Sequence, residues 1–132
     1  MQTREYFRWA HEYLWQRRSL HCVQIKRHNI ETSLLECALS RGDRRVGEAI
    51  ELAWRRGARM DSWSEQFNPQ RWWQALADAG LDAEAILHQP FALDATLPWD
   101  HVNVKYGRTF LEKEQLRSVA QLSRMQEVQT NE

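Results

Sequence analysis

Three groups of polar side chains in this chain of 132 residues have the types and spacing to do chemistry. The densest is Arg41-Gly42-Asp43-Arg44-Arg45, where three guanidiniums beside the start of a helix could hold a phosphate or a carboxylate. A structural reading stands beside it: Asp43 caps the following helix while an arginine pairs with Glu36 or Glu48 and fixes the angle between two helices. Asp100 and His101 are adjacent, so they are either a general acid-base pair or a turn with a backbone cap. Arg27-His28 closes a short extended run, the place where open α/β architectures put ligand-contacting groups, although a solvated loop histidine fits as well. Five histidines and two cysteines offer no CxxC or His-x3-His pair, so no tetrahedral metal site is expected. Phosphate loops, nucleophile elbows and dinucleotide fingerprints are absent. Trp54, Trp63, Trp72, Trp73 and Trp99 could stack a ring-shaped ligand, but aromatic residues at helical spacing point first to a core.

These groups need elements to position them. Tyr6, Trp9, Ala10, Tyr13 and Leu14 share one stripe of an amphipathic helix over residues 2–18. Cys22 to Arg27 alternates apolar and polar residues and predicts the one strand, which has no partner strand in this chain. Ser33-Leu34-Leu35-Glu36 has the capping-box pattern and opens a helix over 33–41, which Gly42 ends in the left-handed conformation. Asp43 then caps a helix over 44–56, with Val46, Ala49, Ile50, Ala53 and Trp54 on its apolar side and Gly57 closing it. Asn68-Pro69 starts a helix with Trp72, Trp73, Leu76 and Ala79 on one face and Gly80 at its end. Asp82 caps a short helix through Leu87, and Gln89 to Pro98 is an extended linker. A last helix begins near Arg108 or Thr109, with Thr109 and Glu112 as a capping box, and frays into a polar tail over 126–132.

The composition narrows the partners. Lys plus Arg and Asp plus Glu number 18 each, so no global field draws the chain to nucleic acid or to an anionic membrane. No stretch is apolar enough to span a bilayer and the amino terminus lacks a signal peptide's apolar run, which predicts a cytosolic protein with Cys22 and Cys37 as reduced, packed thiols. Seven tryptophans are many for this length and raise the expectation of a surface buried against another molecule.

Several of these segments together resemble the end of the barrel and the following extension in a family of large bacterial radical SAM proteins with an amino-terminal B12-binding-like domain. The resemblance rests on Lys26-Arg27-His28, Ser33-Leu34-Leu35-Glu36, Arg41-Gly42-Asp43-Arg44-Arg45 and Ala53-Trp54-Arg55-Arg56-Gly57-Ala58-Arg59. It continues through Asp61-Ser62-Trp63-Ser64-Glu65-Gln66-Phe67, Leu97-Pro98-Trp99-Asp100-His101 and Phe110-Leu111, spanning roughly residues 4 to 117 in matching order. It implies a mainly α chain of about five to six helices and one short strand, residues 1–30 corresponding to the terminal helix and strand of a partial TIM-type barrel and 31–125 to a helical extension. The chain contains neither the CxxxCxxC loop that holds such a family's [4Fe-4S] cluster nor the DxHxxG motif of the B12-type domain. The expected role is therefore a non-catalytic accessory segment docking on a separate radical SAM core, which would carry the cluster and S-adenosylmethionine. There Arg27 and His28 would face the active-site mouth, and Arg41, Asp43, Arg44 and Arg45 would fix the extension or hold an anionic group. The alternative is a free-standing helical interaction module that covers its strand edge or self-associates through it. A small independent enzyme using Asp100 and His101 is the third reading.

Overall fold

A computed structural model describes residues 1–17, 24–102 and 105–130, with side chains through residue 124. The described residues are mainly helical: α1 (Arg4–Gln16), α2 (Ile30–Arg41), α3 (Val46–Arg55), α4 (Pro69–Asp78), α5 (Ala83–His88) and α6 (Gly107–Thr130). They divide into two compact units, residues 1–90 with α1 to α5 and residues 91–132 with α6. No strand occurs among the described residues, and Gln24 to Arg27, the described part of the expected strand, are without regular structure. Cys22 and Val23 lie outside the described residues. No described segment is extended alongside Gln24 to Arg27, so their backbone groups have no ladder to join.

Helix starts follow side-chain oxygens that satisfy free backbone N–H groups. Thr3, Asn29, Asn68 and Asp82 accept from the amides of Tyr6, Thr32, Arg71 and Ala85. The expected capping box at Ser33 and Glu36 does not form, because Asn29 caps α2 four residues earlier and leaves Ser33 inside the helix. Asn68 and Pro69 open α4 as expected. Gly57 (φ 88°) and Gly80 (φ 70°) end α3 and α4 with paired bonds, Ala58 N–H to the Ala53 carbonyl and Leu81 N–H to the Leu76 carbonyl, joined by Gly57 to Trp54 and Gly80 to Ala77. Gly42 ends α2 differently. It is extended (φ −71°, ψ 163°), so space rather than left-handed backbone demands glycine there. A Cβ at this position would sit 2.2 Å from Val46 Cγ2 and 3.1 Å from the Ala38 carbonyl oxygen.

Unit 1 has one main core. Leu34, Leu35 and Ala38 of α2, Val46 and Ala49 of α3, Leu76 of α4, and Ala79, Leu81 and Leu87 form a buried cluster, with Leu34, Leu76 and Leu87 fully enclosed. Ala53, Ala58 and Ala75 form a second. These small residues let the α3 and α4 backbones come close, and an Arg56–Asp78 ion pair links the two helices. The tryptophans do not supply this core. Trp72 and Trp73 are half-buried at its margin, while Trp54, Trp63 and Trp99 are exposed.

In unit 2 every described apolar side chain is at least partly exposed. Arg108 is its hub, donating to the carbonyls of Leu93 and Ala95 and pairing with Asp100 and Glu112 at 3.0 Å each. The expected capping box at Thr109 is replaced by a start at Gly107 and this Arg108–Glu112 pair.

Candidate functional site

The side chain of Asp43 accepts from the Arg45 amide and guanidinium, so it braces the turn before α3 rather than capping the helix, whose N-cap is Arg45. The Arg45 guanidinium holds the Asp43 carboxyl below its ordinary range. Arg45 also donates to the Gly80 carbonyl at 2.8 Å, and Arg41 donates to the carbonyls of Ile86 and Gln89. Two of the three guanidiniums are thus committed to protein oxygens and tie the α2–α3 turn to the ends of α4 and α5. The expected pairing with Glu36 or Glu48 is not what fixes it; backbone carbonyls are, because each guanidinium lies beside a helix C-terminus. Arg44 is exposed.

Asp100 and His101 line an open cleft of about 450 Å³ in unit 2, together with Leu97, Trp99, Arg108 and Leu111. One oxygen of Asp100 accepts from both the Leu97 amide (2.8 Å) and Arg108 (3.0 Å). That arrangement is a turn brace, and His101 is exposed beside it. The guanidinium of Arg27 lies 4.8 Å from the Trp15 ring centre, and His28 is exposed. No group of three or more His, Cys, Asp or Glu among the described residues is placed to hold a metal, and no described helix is long and apolar enough to cross a membrane.

Among the described residues of unit 1, α1 exposes Tyr6, Trp9, Tyr13, Leu14 and Trp15. Phe7 and Ala10 are half-buried on its inner side, whereas Tyr6, Trp9 and Tyr13 follow one another along the outer side. Trp9 is 56% exposed. Its ring centre is 5.5 Å from that of Tyr6 and 5.4 Å from that of Tyr13, and Arg17 covers the Tyr13 ring at 3.7 Å. Leu14 and Trp15 are exposed as well. No protein family, curated protein or solved structure matches this chain.

A polar network that the sequence reading missed holds α1 in place. Arg4 donates to Glu31 at 2.8 Å and to Glu84 at 3.1 Å, while Trp73 Nε1 donates to the other oxygen of Glu31 at 2.9 Å. Partial burial pushes the Glu31 carboxyl up, yet the hydrogen bonds from Arg4 and Trp73 outweigh it and hold the group below its ordinary range. The bond to Glu31 is also what raises Arg4 most. A sequence signal for α1 was the run Tyr6-Phe7-Trp9-Ala10, in which Phe7 widens the apolar face of the helix toward the core.

Proposed function

We propose that this chain is a non-catalytic helical module that works by docking on another protein, with α1 as the docking element and a separately encoded radical SAM core as its partner. The observation that carries the docking is α1 itself: Phe7 packs inward while Tyr6, Trp9 and Tyr13 form an outward aromatic ladder. α1 is amphipathic, its outer aromatic ladder is exposed, and clustered exposed aromatics are the residues that dominate interface energetics. The partner's identity rests on the resemblance. In such a complex the partner supplies the [4Fe-4S] cluster and S-adenosylmethionine in the cytoplasm, residues 22–27 add the edge strand to its barrel, and Arg27 and His28 face its mouth. A second copy is a poorer occupant for α1. Glu5 and Glu12 lie one heptad apart on the same edge, so an antiparallel pair of α1 helices would set carboxylate against carboxylate.

The test is affinity purification of the tagged chain from its host under anaerobic conditions, with mass spectrometry of what accompanies it. A CxxxCxxC protein in near-equal amount, lost with Trp9→Ala, is the expected result. Recovery of the chain alone and folded overturns the radical SAM partner. That outcome favours the free-standing interaction module, a reading also supported by Arg27 lying over Trp15.

A further inference from the structure

The longest helix has the least cover. α6 runs for 24 residues, and its first turn is tied down through Arg108 and Glu112. From Lys113 to Arg124, by contrast, every residue is exposed. A helical segment of that length is marginal in water, because most helical stability in proteins comes from packing an amphipathic face. The exposed Arg117–Glu114 ion pair, at 3.5 Å, adds little. An amphipathic face is nevertheless present. At about 3.6 residues per turn, Leu116, Val119 and Leu122 fall on one side of α6, whereas Lys113, Glu114, Arg117 and Arg124 fall on the opposite side. The three apolar side chains are 56%, 50% and 58% exposed. Gln115 and Ser123 flank them without charge, and Ser123 Oγ donates to the Val119 carbonyl at 3.1 Å, so that hydroxyl can be buried with its donor satisfied.

The surface that fits this stripe is the stripe itself. About Val119 it has the same character in both directions: leucine stands three residues away on either side (Leu116, Leu122) and an uncharged polar residue four away (Gln115, Ser123). Two copies laid antiparallel therefore set Val119 against Val119 and Leu116 level with Leu122, and no charge on the stripe meets a like charge. Opposed helix dipoles favour the same direction. A parallel pair is worse, because Glu112 lies one heptad before Val119 on the same side and would face its own copy; antiparallel, it stands level with the uncharged Gln126. Unit 2 gives a second reason. Every apolar side chain described in it is at least partly exposed, and a segment of about 40 residues that encloses so little is one that oligomerisation stabilises.

We propose that the protein forms a two-fold symmetric dimer through α6, two copies packing antiparallel about Val119 with Leu116 of each against Leu122 of the other. This goes beyond docking through α1, which the pairing does not use.

Sedimentation equilibrium of the full chain at several concentrations tests it. The expected mass is twice 15.8 kDa at high concentration, falling toward one chain on dilution, and Trp9→Ala behaves as wild type. Val119→Glu sets two carboxylates together at the two-fold axis and weakens self-association about a hundredfold or more. Its thermal melt at a dilution where wild type is a single chain is unchanged, since Val119 is exposed there. Direction is read from the double variant Gln115→Cys, Ser123→Cys, oxidised and mapped by mass spectrometry, which separates its links from any through Cys22 or Cys37. Links between position 115 of one copy and 123 of the other are expected; links of 115 to 115 refute the antiparallel pair. A single-chain mass at every concentration refutes the dimer and leaves docking through α1 standing. A dimer that survives Val119→Glu, or that is lost with Trp9→Ala, is not held by α6 and overturns the proposal.

Discussion

At the scale of single residues, close packing and charge pairing set the sharpest expectations. Gly42→Ala places a methyl group into Val46 Cγ2, and the turn must shift to admit it, which costs about 1–3 kcal/mol. Gly57→Ala has open space but a φ of 88°, so it costs about 1 kcal/mol from backbone strain alone. Urea unfolding of the two variants should rank them in that order. Glu31 gives a pH signature. Its folded carboxyl titrates below the ordinary 4.5, so its contribution is present above that value and is lost as pH falls through the depressed folded value. Arg4, Glu84 and the nearby Arg8 are the charges that surround it. The gap in unfolding free energy between wild type and Glu31→Gln should therefore be widest near neutrality and close in acid. A gap that widens as pH falls would reverse the assigned sign.

At the scale of elements, the same helix type plays two roles. α3 and α4 are core, with alanines and Leu76 at their contact, and Leu76→Ala should cost about 2–5 kcal/mol because a fully enclosed side chain leaves a cavity. α1 is surface on its outer side, and Trp9→Ala should change stability by no more than about 0.5 kcal/mol while abolishing partner capture. A thermal melt beside the pull-down distinguishes an interface residue from a structural one. The Arg41-Asp43-Arg45 turn belongs with the core elements in this sense. Its charges are spent on the Gly80, Ile86 and Gln89 carbonyls, so Arg45→Ala should lower stability, by about 1 kcal/mol, through loss of a bond that pins α3 to the end of α4.

At the scale of the whole molecule, the buried residues among those described fall between Leu34 and Leu87, inside the unit that ends at Pro90. A chain of residues 1–90 should therefore unfold cooperatively in circular dichroism, and a non-cooperative, sloping transition would show that the core depends on more than these five helices. Unit 2 relies on one hub instead, since Arg108 gathers Leu93, Ala95, Asp100 and Glu112.

Local chemistry made much of this legible. Asn68-Pro69, Asp82, Gly57 and Gly80 mark helix ends through bonds between near neighbours, and the periodicity of Val46, Ala49 and Ala53 placed the inner face of α3 correctly. Where two neighbouring signals competed, the sequence could not choose. Asn29 and Ser33 are both good caps, and it is the Asn29 side chain, accepting from the Thr32 amide, that starts α2. The tryptophans show the limit most clearly: Ile50 and Trp54 share a stripe with Val46 and Ala53, yet only the smaller residues are buried, because α4 approaches on their side alone. The sequence alone determined a mainly helical chain, its principal stops and the residues able to do chemistry, since these follow from spacing along one backbone. Tertiary structure decided that the arginines of the α2–α3 turn answer carbonyls far along the chain, that Asp100 answers Arg108, and that Arg4 gathers three helices, since each depends on groups brought together only by folding.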